Sequence, residues 1–225
     1  MKYNQLAILL SAVILCACAG STNKSDSANS NIPRSGYLGD YSMLQPAPGE
    51  YKGEKLVWIN PAMVKGKYKK IIIHPVTYYP APKEGSQIKQ ENLDKISAYL
   101  TQQVTREVSK SYELTDKPGS DTLDYKLAVT GVATSLEGLK AYEVVPVALV
   151  LAGASTALGY RDQVVTISVE GILTDSMTHD VMAKGLRQGV GENLADDKQQ
   201  VDVEKVKGLF DEWAKVAGSL AAQLR

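Results

Sequence analysis

The chain has 225 residues, and its 25 Lys+Arg are balanced by 25 Asp+Glu, so the formal net charge is zero. Hydrophobic residues make up 44% and charged residues 22%, which excludes wholesale disorder, a coiled-coil rod and a collagen-like chain. Balanced charge argues against a dedicated nucleic-acid binder, and the length fits one folded domain with extra segments.

Lys2 gives the N-terminus a positive start, and residues 6–19 then run almost wholly apolar. A membrane-spanning helix needs about 20 such residues, so this stretch is too short to span and has the anatomy of a signal peptide. It ends in Leu15-Cys16-Ala17-Cys18. That tetrad resembles the lipobox of bacterial lipoproteins, an aliphatic residue and two small ones before the modified Cys. The resemblance implies cleavage after Ala17, a diacylglycerol thioether on Cys18 and acylation of the freed amine. Both cysteines of the chain lie here, so a chain that starts at Cys18 has no disulfide. Ala19, not Asp, follows Cys18. By resemblance to the sorting rule of enteric bacteria, this points to the outer membrane and its periplasmic face. The organisation expected is a signal peptide at 1–17, a lipidated Cys with a flexible Ser/Asn-rich tether at 18–36, and a single periplasmic domain at 37–225.

Within the domain, residues 56–60 read as a short strand and residues 70–74 as a stronger one, with three consecutive isoleucines suited to burial on both faces. Over residues 86–111 the period changes: Ile88, Leu93, Ile96, Tyr99, Leu100, Val104 and Val108 fall at helical spacing. Residues 112–114 leave the helix, and Pro118-Gly119 punctuates. Tyr125, Leu127, Val129, Gly131 and Ala133 alternate as a strand, and so do Val165, Ile167, Val169, Gly171 and Leu173. Residues 175–180 form a turn and residues 181–190 its returning strand. Val203, Val206, Phe210, Trp213, Val216, Leu220 and Leu224 mark a closing amphipathic helix with one stripe toward the sheet. The fold class expected is α+β: a mostly antiparallel sheet with two amphipathic helices packed on one face.

Several blocks together resemble a known family. SGYLGDYSMLQP, LVWINP, KKIIIHPV, LTDSMTHDVMAKG and FDEWAK occur in the order of the blocks of an uncharacterised family of Gram-negative lipoproteins, domain of unknown function 3313. The resemblance runs from about Ser35 to Leu224. Its most specific parts are the tyrosine block at residues 36–44 and the Asp175-Ser176 turn. His179 stands where the family usually has Gly. The resemblance implies a fold and an address, and no reaction.

The chain has two histidines. His74 ends a strand, where a satisfied structural role outweighs a catalytic one, and His179 lies in a turn. Neither has a second His or a Cys at metal-ligand spacing, so no metal and no cofactor are expected. Asp175, Ser176 and His179 are adjacent, but a nucleophile, base and orienter meet through tertiary geometry, and no G-x-S-x-G elbow is present. Turn chemistry explains Asp and Ser here better. Gly189-Val190-Gly191 lacks the rest of a phosphate loop and reads as a bulge or strand exit. Lys65, Lys67, Lys69 and Lys70 read as a solvated edge, with anionic headgroups as the alternative partner.

Twelve Tyr against one Phe is an unusual balance, and Tyr suits half-buried interfaces. The uncharged segment at residues 144–159, VVPVALVLAGASTALG, is a buried cover for the sheet or an exposed contact surface. The candidate interface residues are Val147, Leu149, Leu151, Leu158, Tyr37 and Tyr41. The function expected is non-enzymatic: a lipid-anchored domain that contacts the membrane through its anchor and binds a protein partner or a second copy of itself. The alternatives are a subunit of a homo-oligomeric envelope or export assembly, and an envelope hydrolase.

Overall fold

The structure, a computed structural model, describes residues 32–47, 53–81, 89–136, 163–195 and 199–225. In chain order the elements are β1 (Gln45–Pro46), β2 (Glu54–Ile59), β3 (Lys70–Ile73), β4 (Thr77–Tyr78), α1 (Gln90–Val108), β5 (Glu113–Leu114), β6 (Thr122–Leu136), β7 (Gln163–Asp175), β8 (Val181–Leu194) and α2 (Val203–Leu224). They build an α+β fold with an eight-stranded sheet in the order β1-β2-β8-β7-β6-β3-β5, with β4 also on β6.

The sheet is mostly antiparallel, as expected, and it also contains parallel pairs that the sequence did not indicate. The long neighbours β2, β8, β7 and β6 are antiparallel, but β3 pairs parallel with β5 and β6, and β4 pairs parallel with β6. The cause is connectivity. Parallel neighbours require a crossover of a dozen or more residues, and α1 supplies it between β3–β4 and β5–β6. The isoleucine run of β3 is less enclosed than its composition implies: Ile71 is buried, while Ile72 and Ile73 are half-buried.

Alternation sorts each long strand into two faces. One cross-strand row runs Val57, Gly185, Gly171, Leu127, and the next runs Leu56, Leu186, Glu170, Ala128. The buried stripe of α1 (Leu93, Ile96, Leu100, Val104, Val108) and that of α2 (Val206, Leu209, Phe210, Trp213) join Leu123, Leu127 and Ile167 in one hydrophobic cluster. A second cluster gathers Ile32, Leu38, Tyr41 and Leu44 from the N-terminal loop onto Leu56 and Leu186. Packing thus begins by Ile32, within the stretch read as tether. Both clusters draw on described residues from Ile32 onward, so a chain beginning at residue 19 retains every side chain of both.

α2 starts at Asp202, whose carboxylate accepts a hydrogen bond from the backbone N–H of Lys205 at 3.3 Å, a conventional N-cap. The helix lies close on β8 because of Gly191: a Cβ there would sit 2.3 Å from the carbonyl oxygen of Lys205. The β7–β8 register shifts between Val164 and Thr166, opposite this glycine, so the expected bulge is present.

Candidate functional site

Cys18, Val147, Leu149, Leu151 and Leu158 lie outside the described residues. The remaining candidates fall into three places: the loop-covered face of the sheet, the β7–β8 turn, and the space under the helices.

On the loop-covered face, Tyr41 is an internal clamp and not a surface contact. Its side chain is buried, and its hydroxyl donates to Glu170 Oε2 at 2.6 Å. The Tyr41 hydroxyl oxygen in turn accepts from the backbone N–H of Gly36 at 2.8 Å and of Leu38 at 3.3 Å. The N–H of Ser35 donates to Glu170 Oε1 at 3.2 Å. Glu170 is fully buried, and these donors offset part of the cost of taking a carboxylate out of water. Burial, then the bond to Glu170, raises the pKa of Tyr41. Lys184 ties the loop down from β8 by donating to the carbonyls of Leu38 and Asp40, each at 2.9 Å. Tyr37 is half-buried and meets Tyr79 edge to face at 5.5 Å. The specific tyrosine block therefore has a folding task. Tyr41→Phe removes a donor from a buried carboxylate and is expected to cost about 1–3 kcal/mol, read from the urea midpoint.

At the β7–β8 turn, Asp175 organises its surroundings. Oδ1 accepts from the N–H groups of Met177 at 2.9 Å and Thr178 at 3.1 Å. Oδ2 accepts from the Tyr68 hydroxyl at 2.8 Å and from Lys67 Nζ at 3.1 Å. Burial pushes the carboxyl pKa up. The two backbone donors, Tyr68 and Lys67 outweigh it and hold Asp175 well below the usual carboxylate range. The Ser176 hydroxyl exchanges hydrogen bonds with the backbone of Gly119, both at 3.0 Å. His179 has φ 62°, so the left-handed turn conformation is kept without glycine. His74 pairs instead with Asp124, Nε2 to Oδ2 at 3.0 Å. Among the described residues no hydrogen bond joins either histidine to Ser176. Half of the basic run is also engaged internally: Lys67 with Asp175, and Lys70 with Asp121 at 3.7 Å.

The third place was not legible in advance. Between the sheet and the helices lies an apolar cavity of ≈160 Å³. Its floor is the row holding Gly171 and Gly185, which face each other across β7 and β8 and offer no side chains. Its roof includes Ala217 and Ala221 of α2. Small residues thus oppose small residues where a core would ordinarily interdigitate. Half-buried Val57, Leu173 and Leu220 form the accessible rim. Tyr112 Oη and Trp213 Nε1 are among the buried polar atoms of lining side chains that have no hydrogen-bond partner. At the Trp213 end, the lining includes Lys55 and Arg187, register partners on β2 and β8. The Arg187 guanidinium sits 5.3 Å from the Trp213 ring centroid and 3.8 Å from Glu212. Burial, then the neighbouring Arg187 charge, lowers the Lys55 pKa.

Comparison with known proteins follows the same blocks. The model of the family described as protein of unknown function DUF3313 matches residues 33–217. The chain is 34% identical over 213 residues to the uncharacterized lipoprotein YdcL of Escherichia coli K12, covering 95% of this chain and 93% of that one, and equally to its counterpart in strain O157:H7. Two solved structures overlap more distantly. A crystal structure titled as a neuraminyllactose-binding hemagglutinin homolog from Helicobacter pylori has TM-score 0.36 at 14% identity, covering 80% of this chain and 89% of that one. A PelC dodecamer from Paraburkholderia phytofirmans has TM-score 0.32 at 11% identity, covering 76% and 94%. At those values neither bears on function. The matched blocks and the YdcL identity place this chain in the DUF3313 family of uncharacterised lipoproteins.

Proposed function

We propose that this chain is an outer-membrane-anchored lipoprotein whose domain faces the periplasm and works by binding an apolar ligand of the envelope, not by catalysis. The anchor reading is supported by the Leu15-Cys16-Ala17-Cys18 tetrad, by Ala19 after the anchor and by the lipoprotein family. The binding reading is carried by one observation, the ≈160 Å³ apolar cavity built from opposed small residues. Against catalysis stand the roles that the candidate side chains already fill: Ser176 closes a turn on Gly119, Asp175 holds the corner, and His74 pairs with Asp124.

The anchor has a direct test. Cys18→Ser is expected to abolish metabolic fatty-acid labelling and to remove the protein from the outer-membrane fraction, while Cys16→Ser keeps both. Labelling of the Cys18→Ser form would sink the anchor. The cavity is tested in a chain beginning at residue 19 with Trp58→Phe, so that Trp213 is the sole tryptophan reporter. A saturable change in its emission on adding 1-octanol supports a binding cavity, and no change refutes it.

A further inference from the structure

The shape of the cavity narrows the ligand class, and this inference rests on the reading of the cavity as a binding site. We propose that it takes the end of one unbranched hydrocarbon chain, the tail of a separate envelope lipid, laid across β8 and β7 over Gly185. Three observations carry this. The first is the floor. Val57, Gly185, Gly171 and Leu127 form one cross-strand row four strands long, about 14 Å at ~4.8 Å per strand. Along the strands, Val169 and Arg187 flank the two glycines on one side, and Leu173 and Ala183 on the other. Without side chains of their own, Gly171 and Gly185 turn the row into a trench one residue wide. The second is the two ends. A Cβ at Gly171 would meet Leu127 Cδ2 at 2.9 Å and Tyr125 Cε2 at 3.3 Å, so these side chains lean over the inner glycine and stop the trench. A Cβ at Gly185 would meet nothing nearer than the Leu56 carbonyl oxygen at 3.9 Å, and beyond it lies the half-buried rim of Val57 and Leu220. The trench is therefore blind at β6 and open at β2. The third is volume: a cavity of about 150 Å³ takes up benzene, so the ≈160 Å³ here holds roughly six to eight carbons. Drawn out along the trench, that volume suits a file of methylenes and is too narrow for a branch. A longer chain leaves over the rim.

The tail belongs to a separate lipid and not to the protein's own anchor. Ile32, where packing of the chain begins, lies on Leu56 and Leu186. Those residues alternate with Val57 and Gly185, so the tether reaches the domain on the face of the sheet opposite the trench.

The experiment uses the chain beginning at residue 19 with Trp58→Phe, and titrates 1-octanol and its branched isomer 2-ethyl-1-hexanol against Trp213 emission. The two share carbon number and hydroxyl and differ in width. 1-Octanol is expected to bind at least tenfold more tightly. From 1-butanol upward, affinity is expected to rise about fourfold per added methylene, the worth of one buried CH₂. The rise should level off after about eight carbons. Gly185→Val fills the trench from the floor and Ala217→Leu from the roof. Each is expected to weaken 1-octanol at least tenfold, and Gly185→Val, a β-branched residue in a strand, to melt no lower than its parent. For the source of the tail, the same chain is sent to the periplasm behind a cleaved leader. It has no cysteine to acylate, so straight-chain lipid that co-purifies with it, and not with the filled variants, is a separate molecule. If the two isomers bind equally, the straight-chain assignment is overturned while the apolar site stands. If 1-octanol binds but no lipid co-purifies, the separate source is overturned. If neither alcohol binds, or both filled variants bind 1-octanol as the parent does, the site itself falls together with the binding function.

Discussion

Phe210→Ala is expected to remove about 3–5 kcal/mol of stability, a fifth or more of the ~5–15 kcal/mol that a domain typically has. Phe210 is fully buried in the main cluster, and its ring lies 5.8 Å from that of Trp213. It sits one turn beyond Val206, also fully buried in that cluster, so truncation leaves a cavity among packed side chains. Neighbouring Leu209 is packed over Gly189, where even a Cβ would come within 2.7 Å of it. Urea denaturation should show a lower midpoint with an unchanged slope, the mark of lost stability without loss of two-state unfolding. A loss under about 1 kcal/mol would mean that α2 is not docked as described. Val216, only half-buried beside the cavity, should tolerate truncation better.

The second large effect is Asp175→Asn, with a dependence on pH. Asp175 accepts four hydrogen bonds, two from backbone N–H groups, one from Tyr68 and one from Lys67. An amide keeps one acceptor oxygen and turns a donor toward the others. Hydrogen bonds to a charged group contribute ~1.5–3 kcal/mol each, so a loss on the order of 3 kcal/mol at pH 7 is expected. The sign of the pH effect follows from linkage. The folded-state pKa of Asp175 is depressed, whereas an unfolded Asp titrates near ~3.9. The contribution is therefore complete above about pH 5 and is lost progressively as pH falls through ~4 toward the folded value. Other carboxylates titrate in the same range, so the quantity to measure is the difference between parent and Asp175→Asn. That difference should be large at pH 7 and should shrink by pH 3. A constant difference would mean that the carboxylate charge is not what holds the corner.

The Asp175 corner shows how partial the sequence signal was. Turn residues at 175–180 are recognisable because Asp and Ser bond their own backbone two or three residues on, a local interaction. The partners on the far side, Tyr68 and Lys67, are more than a hundred residues away in the chain. Lys67 looked like part of a solvated edge because its pairing is decided by where β3 and the loop before it come to rest.

The same division runs through the molecule. The chain's own periodicity determined both helices, the long strands and their order, though not the two-residue strands β1 and β4, because a 3.6-residue stripe or a two-residue alternation is imposed by the solvent on each segment separately. The lipobox-like tetrad that ends at Cys18 is likewise read along the chain. Beyond the β7–β8 hairpin, which strands pair was decided only in three dimensions: β3 and β4 run parallel to β6 because α1 carries the chain back across the sheet. Glu170, an outward polar residue by alternation, is fully buried because the N-terminal loop folds over that face and gives it Tyr41 and Ser35. The cavity is the furthest from local. Gly171 and Gly185 are ordinary strand glycines until the hairpin register sets them opposite each other, and Ala217 and Ala221 are ordinary helix residues until α2 lies above that pair. An empty volume is a property of facing surfaces, so no single segment of sequence carries it.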